Sequence, residues 1–174
     1  MELRKRLNEA IRLVPDFPKP GILFKDICPL FLDHQLCKDI AEHLATEASK
    51  AQKIDAICAI ESRGFFLGIL MAQHLQVPLF PVRKKGKLPA AVRSYSYELE
   101  YGSSTLEIQQ GIIKPEWNVL VHDDILATGG TAIAASELIK MEGGNLAGFS
   151  FIDILPELNG VEHLKSYSPL IVTV

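Results

Sequence analysis

Long apolar runs are missing from this chain of 174 residues. No window approaches the roughly 20 consecutive apolar residues that a membrane-spanning helix needs, so no membrane partner is expected. The opening segment carries charges between Leu3, Leu7, Ile11 and Val14, which leaves no apolar core for a secretory signal peptide. Cysteine is scarce. Cys28, Cys37 and Cys58 stand in unrelated settings without the close pairing of zinc or redox motifs, and an odd count gives no disulfide framework. A reducing, cytoplasmic compartment is expected. His34, His43, His74 and His163 lack metal-ligand spacing. An excess of positive charge is absent too. A net charge of −3 argues against a nucleic-acid partner, because such proteins usually carry a basic patch. Internal repeats and low-complexity tracts are also lacking.

What is present is an ordinary globular balance, 48% hydrophobic and 22% charged residues. A chain of this length buries about 70% of the surface it exposes when unfolded, so one domain over residues 1–174 is expected. Leu3, Leu7, Ile11 and Val14 recur at helical spacing up to Pro15, predicting a short amphipathic opening helix. Residues 15–32 hold four prolines and a glycine among Ile22, Leu23, Phe24 and Ile27, which reads as a structured loop. Leu36, Ile40, Leu44 and Ala48 predict a second helix with Asp33 as N-cap. From Ile54 onward short apolar runs alternate with helical stretches: strands are expected over 54–60, 78–82 and 118–122, and a helix near 65–75. That alternation signals an α/β fold with a mostly parallel central sheet flanked by helices. Residues 94–109 alternate polar and apolar side chains about Gly102 and predict an antiparallel hairpin. A helix over 131–142, stopped by Gly143-Gly144, and strands over 147–155 and 170–174 complete the pattern.

The chemistry concentrates after the strand 118–122, in His122-Asp123-Asp124-Ile125-Leu126-Ala127-Thr128-Gly129-Gly130-Thr131. Ligands of open α/β sheets bind at the carboxyl ends of strands. The backbone N–H groups of Ala127, Thr128, Gly129, Gly130 and Thr131 would converge at a helix start, where four donors lack partners and the dipole is positive. Glycines let a phosphate approach the main chain, and the threonine hydroxyls add hydrogen bonds. The turn would bind a monophosphate. Asp123 and Asp124 would repel that phosphate, but carboxylates suit ribose hydroxyls or a shared magnesium ion. A phosphorylated sugar is the expected ligand.

This segment resembles the 5-phosphoribosyl-1-diphosphate (PRPP) motif of the type I phosphoribosyltransferase family. Pro18-Lys19-Pro20-Gly21-Ile22-Leu23-Phe24-Lys25-Asp26, Glu61-Ser62-Arg63-Gly64-Phe65, Val82-Arg83-Lys84-Lys85-Gly86-Lys87-Leu88-Pro89 and Tyr97-Glu98-Leu99-Glu100-Tyr101-Gly102 are similar, in order, to the stations of the members that act on adenine. The resemblance implies the type I phosphoribosyltransferase fold, with an N-terminal hood over residues 1–32 and a mobile catalytic loop and hairpin over 83–109. It implies purine salvage: conversion of adenine and PRPP into AMP and diphosphate, with Mg2+ brought mainly through PRPP and no direct protein metal site. A homodimer is implied too, the arginine at Arg83 reaching the neighbouring subunit's site.

The same resemblance distributes the remaining roles. Arg63 would grip the diphosphate, a task that suits the paired donors of a guanidinium, and would take part in catalysis. Arg83, Lys84 and Lys87 would add charge for the departing diphosphate. Glu100 is implied as the loop acid that holds or takes a proton from the purine, and Tyr101 as its shield from water. Leu23, Phe24 and Lys25 correspond to the hood that sandwiches adenine, Phe24 by stacking and the other two by backbone groups. Two departures stand out: Lys25 replaces an arginine common in the family, and His122 an apolar residue. His122 is expected to pack at the strand end. A relative acting on oxopurines would carry an acid where this chain has Ala127, and a PRPP-sensing regulator of the same fold would add a DNA-binding module ahead of the Pro15 loop.

Overall fold

The computed structural model describes residues 2–98 and 103–174. Its centre is a seven-stranded sheet in the order β5-β6-β4-β3-β7-β8-β9, formed by β3 (Ala56–Ile60), β4 (Leu79–Lys84), β5 (Val92–Glu98), β6 (Ser103–Gln109), β7 (Asn118–Leu126), β8 (Asn145–Ile154) and β9 (Ile171–Thr173). Strands β4, β3, β7, β8 and β9 run parallel, while β6 pairs antiparallel with both β4 and β5. This is the mostly parallel sheet expected, with the hairpin on one edge. The α/β expectation rests on sound physics, since every residue of β3 is buried as a strand covered on both faces must be.

Successive side chains point to opposite faces, so the sheet feeds two apolar layers. Ile57 and Leu120 face helices α2 (His34–Ala51) and α3 (Gly64–Leu75), with Leu7 of α1 (Glu2–Ala10) in the same cluster. Cys58, Val119 and Val121 face α4 (Gly130–Met141), with Leu164 of α5 (Gly160–Lys165) beside them. Helix α2 begins as expected, Asp33 accepting a hydrogen bond from the Leu36 N–H at 2.9 Å.

The N-terminal segment differs from the sequence reading. Helix α1 ends at Ala10, and Arg12–Pro15 forms strand β1, antiparallel to β2 (Leu23–Asp26) in a separate two-stranded sheet. The helical spacing of Val14 is coincidental: Pro15 cannot continue a helix, whereas Arg12 finds a cross-strand ion pair with Asp26. The expected loop over 15–32 therefore contains β2 and a 3-10 turn at Cys28–Leu32. Helix α5 was not foreseen, because it is short, largely polar and buries one large side chain, Leu164.

Candidate active site

Strand β7 extends beyond the expected end at His122 to Leu126, so Asp123 and Asp124 are strand residues rather than loop residues. Pairing with β3 stops at Ala59–His122, whereas pairing with β8 continues through Asp123–Phe151, Ile125–Asp153 and Leu126–Ile154. A half-paired strand end opens a cleft beside β7. The turn after β3 reaches the same place because α3 packs unusually close: a Cβ on Gly64 would lie 2.9 Å from the His122 carbonyl oxygen. Only a glycine permits that approach, and it holds Arg63 against the acids.

The cleft, of about 410 Å³, is lined by Glu61, Ser62, Arg63, Lys84, Tyr97, Ser104, Asp123, Asp124 and Thr131 among others. A smaller hollow of about 60 Å³ adjoins it, lined by Asp123, Ile125, Ala127, Thr128, Gly129 and Thr131. Asp123, Ile125 and Thr131 border both. Gly129 is the N-cap of α4 at φ +89°, and no side chain caps the helix. Its first backbone donors thus have no side-chain acceptor and face the small hollow, the arrangement that binds an anion. The positive φ is one that glycine alone adopts freely.

Charge in the cleft is arranged in pairs. Arg63 Nε donates to Asp124 Oδ2, and the half-exposed guanidinium covers a buried carboxylate. Glu61 accepts from Arg83 Nε at 3.0 Å and from the Lys84 backbone N–H at 3.1 Å. Arg83 also donates from Nη1 to the Lys87 carbonyl at 3.2 Å, and Lys87 itself is exposed. Of the expected diphosphate ligands, Arg63 and Lys84 therefore line the cleft, while Arg83 is held by Glu61. The Glu61–Ser62 peptide is cis. Burial first, and the adjoining Asp124 carboxylate second, push Asp123 well above the usual carboxylate range. His122 lies wholly inside, its Nδ1 3.2 Å from Ser150 Oγ and its Nε2 without a hydrogen-bond partner. Burial lowers its pKa to about 4, so the ring is neutral and packs at the strand, with no part in the cleft.

Leu23, Phe24 and Lys25 lie together on β2. Leu23 is exposed, Phe24 meets Phe17 edge-on at 5.1 Å, and Lys25 pairs with Asp153. Glu100 and Tyr101 lie outside the described residues. Sequence reasoning gave no role to two contacts at the cradle. Tyr97 Oη lies 3.1 Å from Thr131 Oγ1, and His163 Nδ1 lies 2.8 Å from the Thr128 carbonyl oxygen. The alternation of β5, which sets Tyr97 on the same side as Tyr95, was the available signal for the first. No signal in the sequence brought His163 to Thr128. Among the described residues no group of three or more His, Cys, Asp or Glu side chains could hold a metal ion.

Comparison with known proteins identifies this arrangement. Residues 31–150, which include β3, β7 and the cradle, match the phosphoribosyl transferase domain. The chain is 48% identical over 159 residues to the adenine phosphoribosyltransferase of Trichormus variabilis, covering 91% of this chain and 92% of that one. It is 44% identical over 165 residues to that of Cytophaga hutchinsonii, covering 95% and 91%. The crystal structure of the Saccharomyces cerevisiae adenine phosphoribosyltransferase, complexed with an imino-altritol bisphosphate and adenine, superposes with a TM-score of 0.92 at 38% identity, covering 99% and 98%. With likeness of this extent in sequence and in fold, the chain belongs to the adenine phosphoribosyltransferase family.

Proposed function

We propose that the protein transfers the 5-phosphoribosyl group of PRPP to adenine, releasing AMP and diphosphate. The observation that carries this reading is the pair of adjoining hollows on the end of β7: a small anion cradle and a larger polar cleft sharing Asp123 and Thr131. A monophosphate in the first fixes the 5′ end of the sugar and places its C1 substituents in the second.

The uncapped start of α4 would hold the 5′-phosphate through backbone donors, while Thr128 and Thr131 add hydroxyls. Asp123 and Asp124 would accept from the ribose hydroxyls. Arg63 and Lys84 would hold the diphosphate and stabilise its growing charge as the bond to C1 breaks. Glu100 would take the purine proton and Tyr101 would cover the reacting carbon. Support for that placement comes from Tyr97, which keeps the described end of β5 at the cradle. Residues 83–109 would close over PRPP, because water admitted to the reacting carbon would hydrolyse it. The hood, residues 1–32, would present adenine to Phe24 and to the backbone of Leu23 and Lys25.

Magnesium would come mainly with PRPP, since Mg2+ characteristically takes most of its ligands from substrate phosphates and water; Asp123 and Asp124, which line the cleft, are the carboxylates that could share it with the ribose. Bound there, it would neutralise charge on the leaving diphosphate. We also place the protein in the cytosol, where three free cysteines stay reduced, and propose a homodimer. Leu32, Phe66 and Ile69 are exposed, and Phe31, the neighbour of Leu32 in the chain, meets Phe66 at 4.8 Å. A second copy would cover them and free Arg83 from Glu61 to serve its neighbour.

The test is incubation of the purified protein with PRPP, Mg2+ and each natural purine, followed by competition of labelled adenine and hypoxanthine for limiting PRPP. Adenine should be incorporated in excess by about 10⁴ or more, because backbone groups set for its edge are left unpaired against an oxopurine. Comparable incorporation would defeat the adenine assignment and leave phosphoribosyl transfer standing.

A further inference from the structure

We infer that Asp153 is a positioning residue for the purine: a buried carboxylate that fastens the base-reading strand β2 to the sheet beside the cleft. Strands β1 and β2 make a sheet of their own, with no ladder to the seven-stranded sheet. They bury none of their residues, so packing alone defines their position weakly. Asp153, by contrast, is 4% exposed and stands opposite Ile125, next to the acids of β7. Its two oxygens are divided between two elements of the N-terminal segment. Oδ1 accepts from Arg4 Nη1 of α1 at 2.7 Å, and Oδ2 accepts from Lys25 Nζ of β2 at 2.6 Å. Arg4 also reaches Thr173 Oγ1 of β9 at 3.5 Å. One carboxylate thus ties α1 and β2 to residues 149 and 128 positions away in the chain.

The position of Lys25 gives the tie its meaning. It adjoins Phe24 in a strand whose backbone is proposed to read the base, and its side chain points away to the sheet edge. Lys25 therefore acts through its anchor, while the Phe24 ring and the backbone of Leu23 would meet the purine. A displacement of about 1 Å in a positioning element can cost about a hundredfold in rate. Charge is what holds the anchor: an amide in place of the carboxylate keeps the shape but removes the negative charge and one of the two acceptors, so Arg4 and Lys25 can no longer both be held.

This inference rests on the adenine reading of β2, and the experiment separates the two. Steady-state kinetics would be measured for Asp153→Asn, Lys25→Met, the double variant and Phe24→Ala, with the Michaelis constants for adenine and PRPP determined separately and thermal unfolding followed in parallel. Asp153→Asn and Lys25→Met should each raise the constant for adenine about tenfold while leaving that for PRPP within about twofold, the separation expected when one substrate's geometry is loosened. The double variant should be no worse than Asp153→Asn alone, since both remove one interaction. Adenine should also lose part of its advantage over hypoxanthine. If Phe24→Ala leaves the adenine constant unchanged, the base lies elsewhere and the reading of β2 fails. If Phe24→Ala raises it but Asp153→Asn and Lys25→Met do not, or if they raise both constants equally, the positioning role is overturned. Should Asp153→Asn not fold, Lys25→Met decides the question, because that side chain is 31% exposed and its loss leaves no cavity in the core.

Discussion

His122 makes the stability of the fold sensitive to acid in a way that one substitution should remove. The ring lies fully inside the protein between β3 and β8, touching Ser150 Oγ and leaving Nε2 unpartnered. Burial lowers its pKa from the ordinary 6.5 to about 4. The unfolded chain therefore binds the proton more readily than the native chain across that interval, and stability must fall as pH drops through it. At about 1.4 kcal/mol per pH unit the full interval is worth about 3 kcal/mol, of which about 2 kcal/mol is lost between pH 6.5 and pH 5. Asp123 acts in the opposite sense: burial and Asp124 raise its pKa, which favours the native state on acidification. The isolating comparison is His122→Val, which keeps a strand-forming side chain in the apolar setting. Urea unfolding of both proteins from pH 8 to pH 5 should show the stability difference shifting in favour of the valine protein by about 2 kcal/mol. Parallel profiles would mean that the buried ring is not held neutral, and the argument would fall.

Three further outcomes test the site. Gly129→Val should weaken AMP binding about a hundredfold or more by calorimetry, since it forces a β-branched residue to φ +89° with its Cβ 3.3 Å from Leu164 and so displaces the backbone that forms the cradle; normal AMP affinity in the folded variant would place the phosphate elsewhere. Glu100→Gln should leave PRPP binding nearly intact and lower turnover by about 10² or more, as for an acid needed in the transition state; an unchanged turnover number at saturation removes Glu100 from the mechanism. Asp123→Asn should stabilise the ligand-free protein near neutral pH. Because the raised carboxyl costs stability as pH climbs from its ordinary range, the gain should vanish below about pH 4, and a pH-independent gain in thermal unfolding would contradict this.

Much of the site was legible because its signals are local. The apolar strand, the paired acids and Thr128-Gly129-Gly130-Thr131 lie within fourteen consecutive residues, 118–131, and glycine chemistry alone foretells an open helix start there. What was misread has a non-local cause. The expected strand ended at His122, just before the acids, because the apolar run stops there, yet β7 continues to Leu126 on the strength of a ladder with β8 alone. Similarly, no pattern near Arg63 reveals that its partner is Asp124, 61 positions on. Lys25 was given only a main-chain role, because Asp153 is visible as its partner in space and not in sequence. The strand β1 was lost to chance: Leu3, Leu7, Ile11 and Val14 keep helical spacing through a turn that the backbone never completes.

The pairing of charges in the cleft bears on how it would receive a highly anionic ligand. Arg63 spends one nitrogen, Nε, on Asp124, while its side chain remains 42% exposed beside the 6% exposed carboxylate. A guanidinium has five donors in a rigid plane, so the terminal nitrogens can take diphosphate oxygens without releasing Asp124. The carboxylate thereby orients the arginine before the ligand arrives. A free arginine side chain carries about 2 kcal/mol of rotamer entropy, and ordering it in advance removes part of that cost from binding. Only one oxygen of Asp124 is engaged by Arg63, so under the proposed function its other oxygen would accept from a ribose hydroxyl and the acid and the arginine would hold adjacent parts of the same substrate as one unit. Arg83 differs: Glu61 takes Nε and the Lys87 carbonyl takes Nη1. More of its donor set is already committed within its own chain, so its use in a neighbouring site requires this local arrangement to open, whereas Arg63 needs only a ligand.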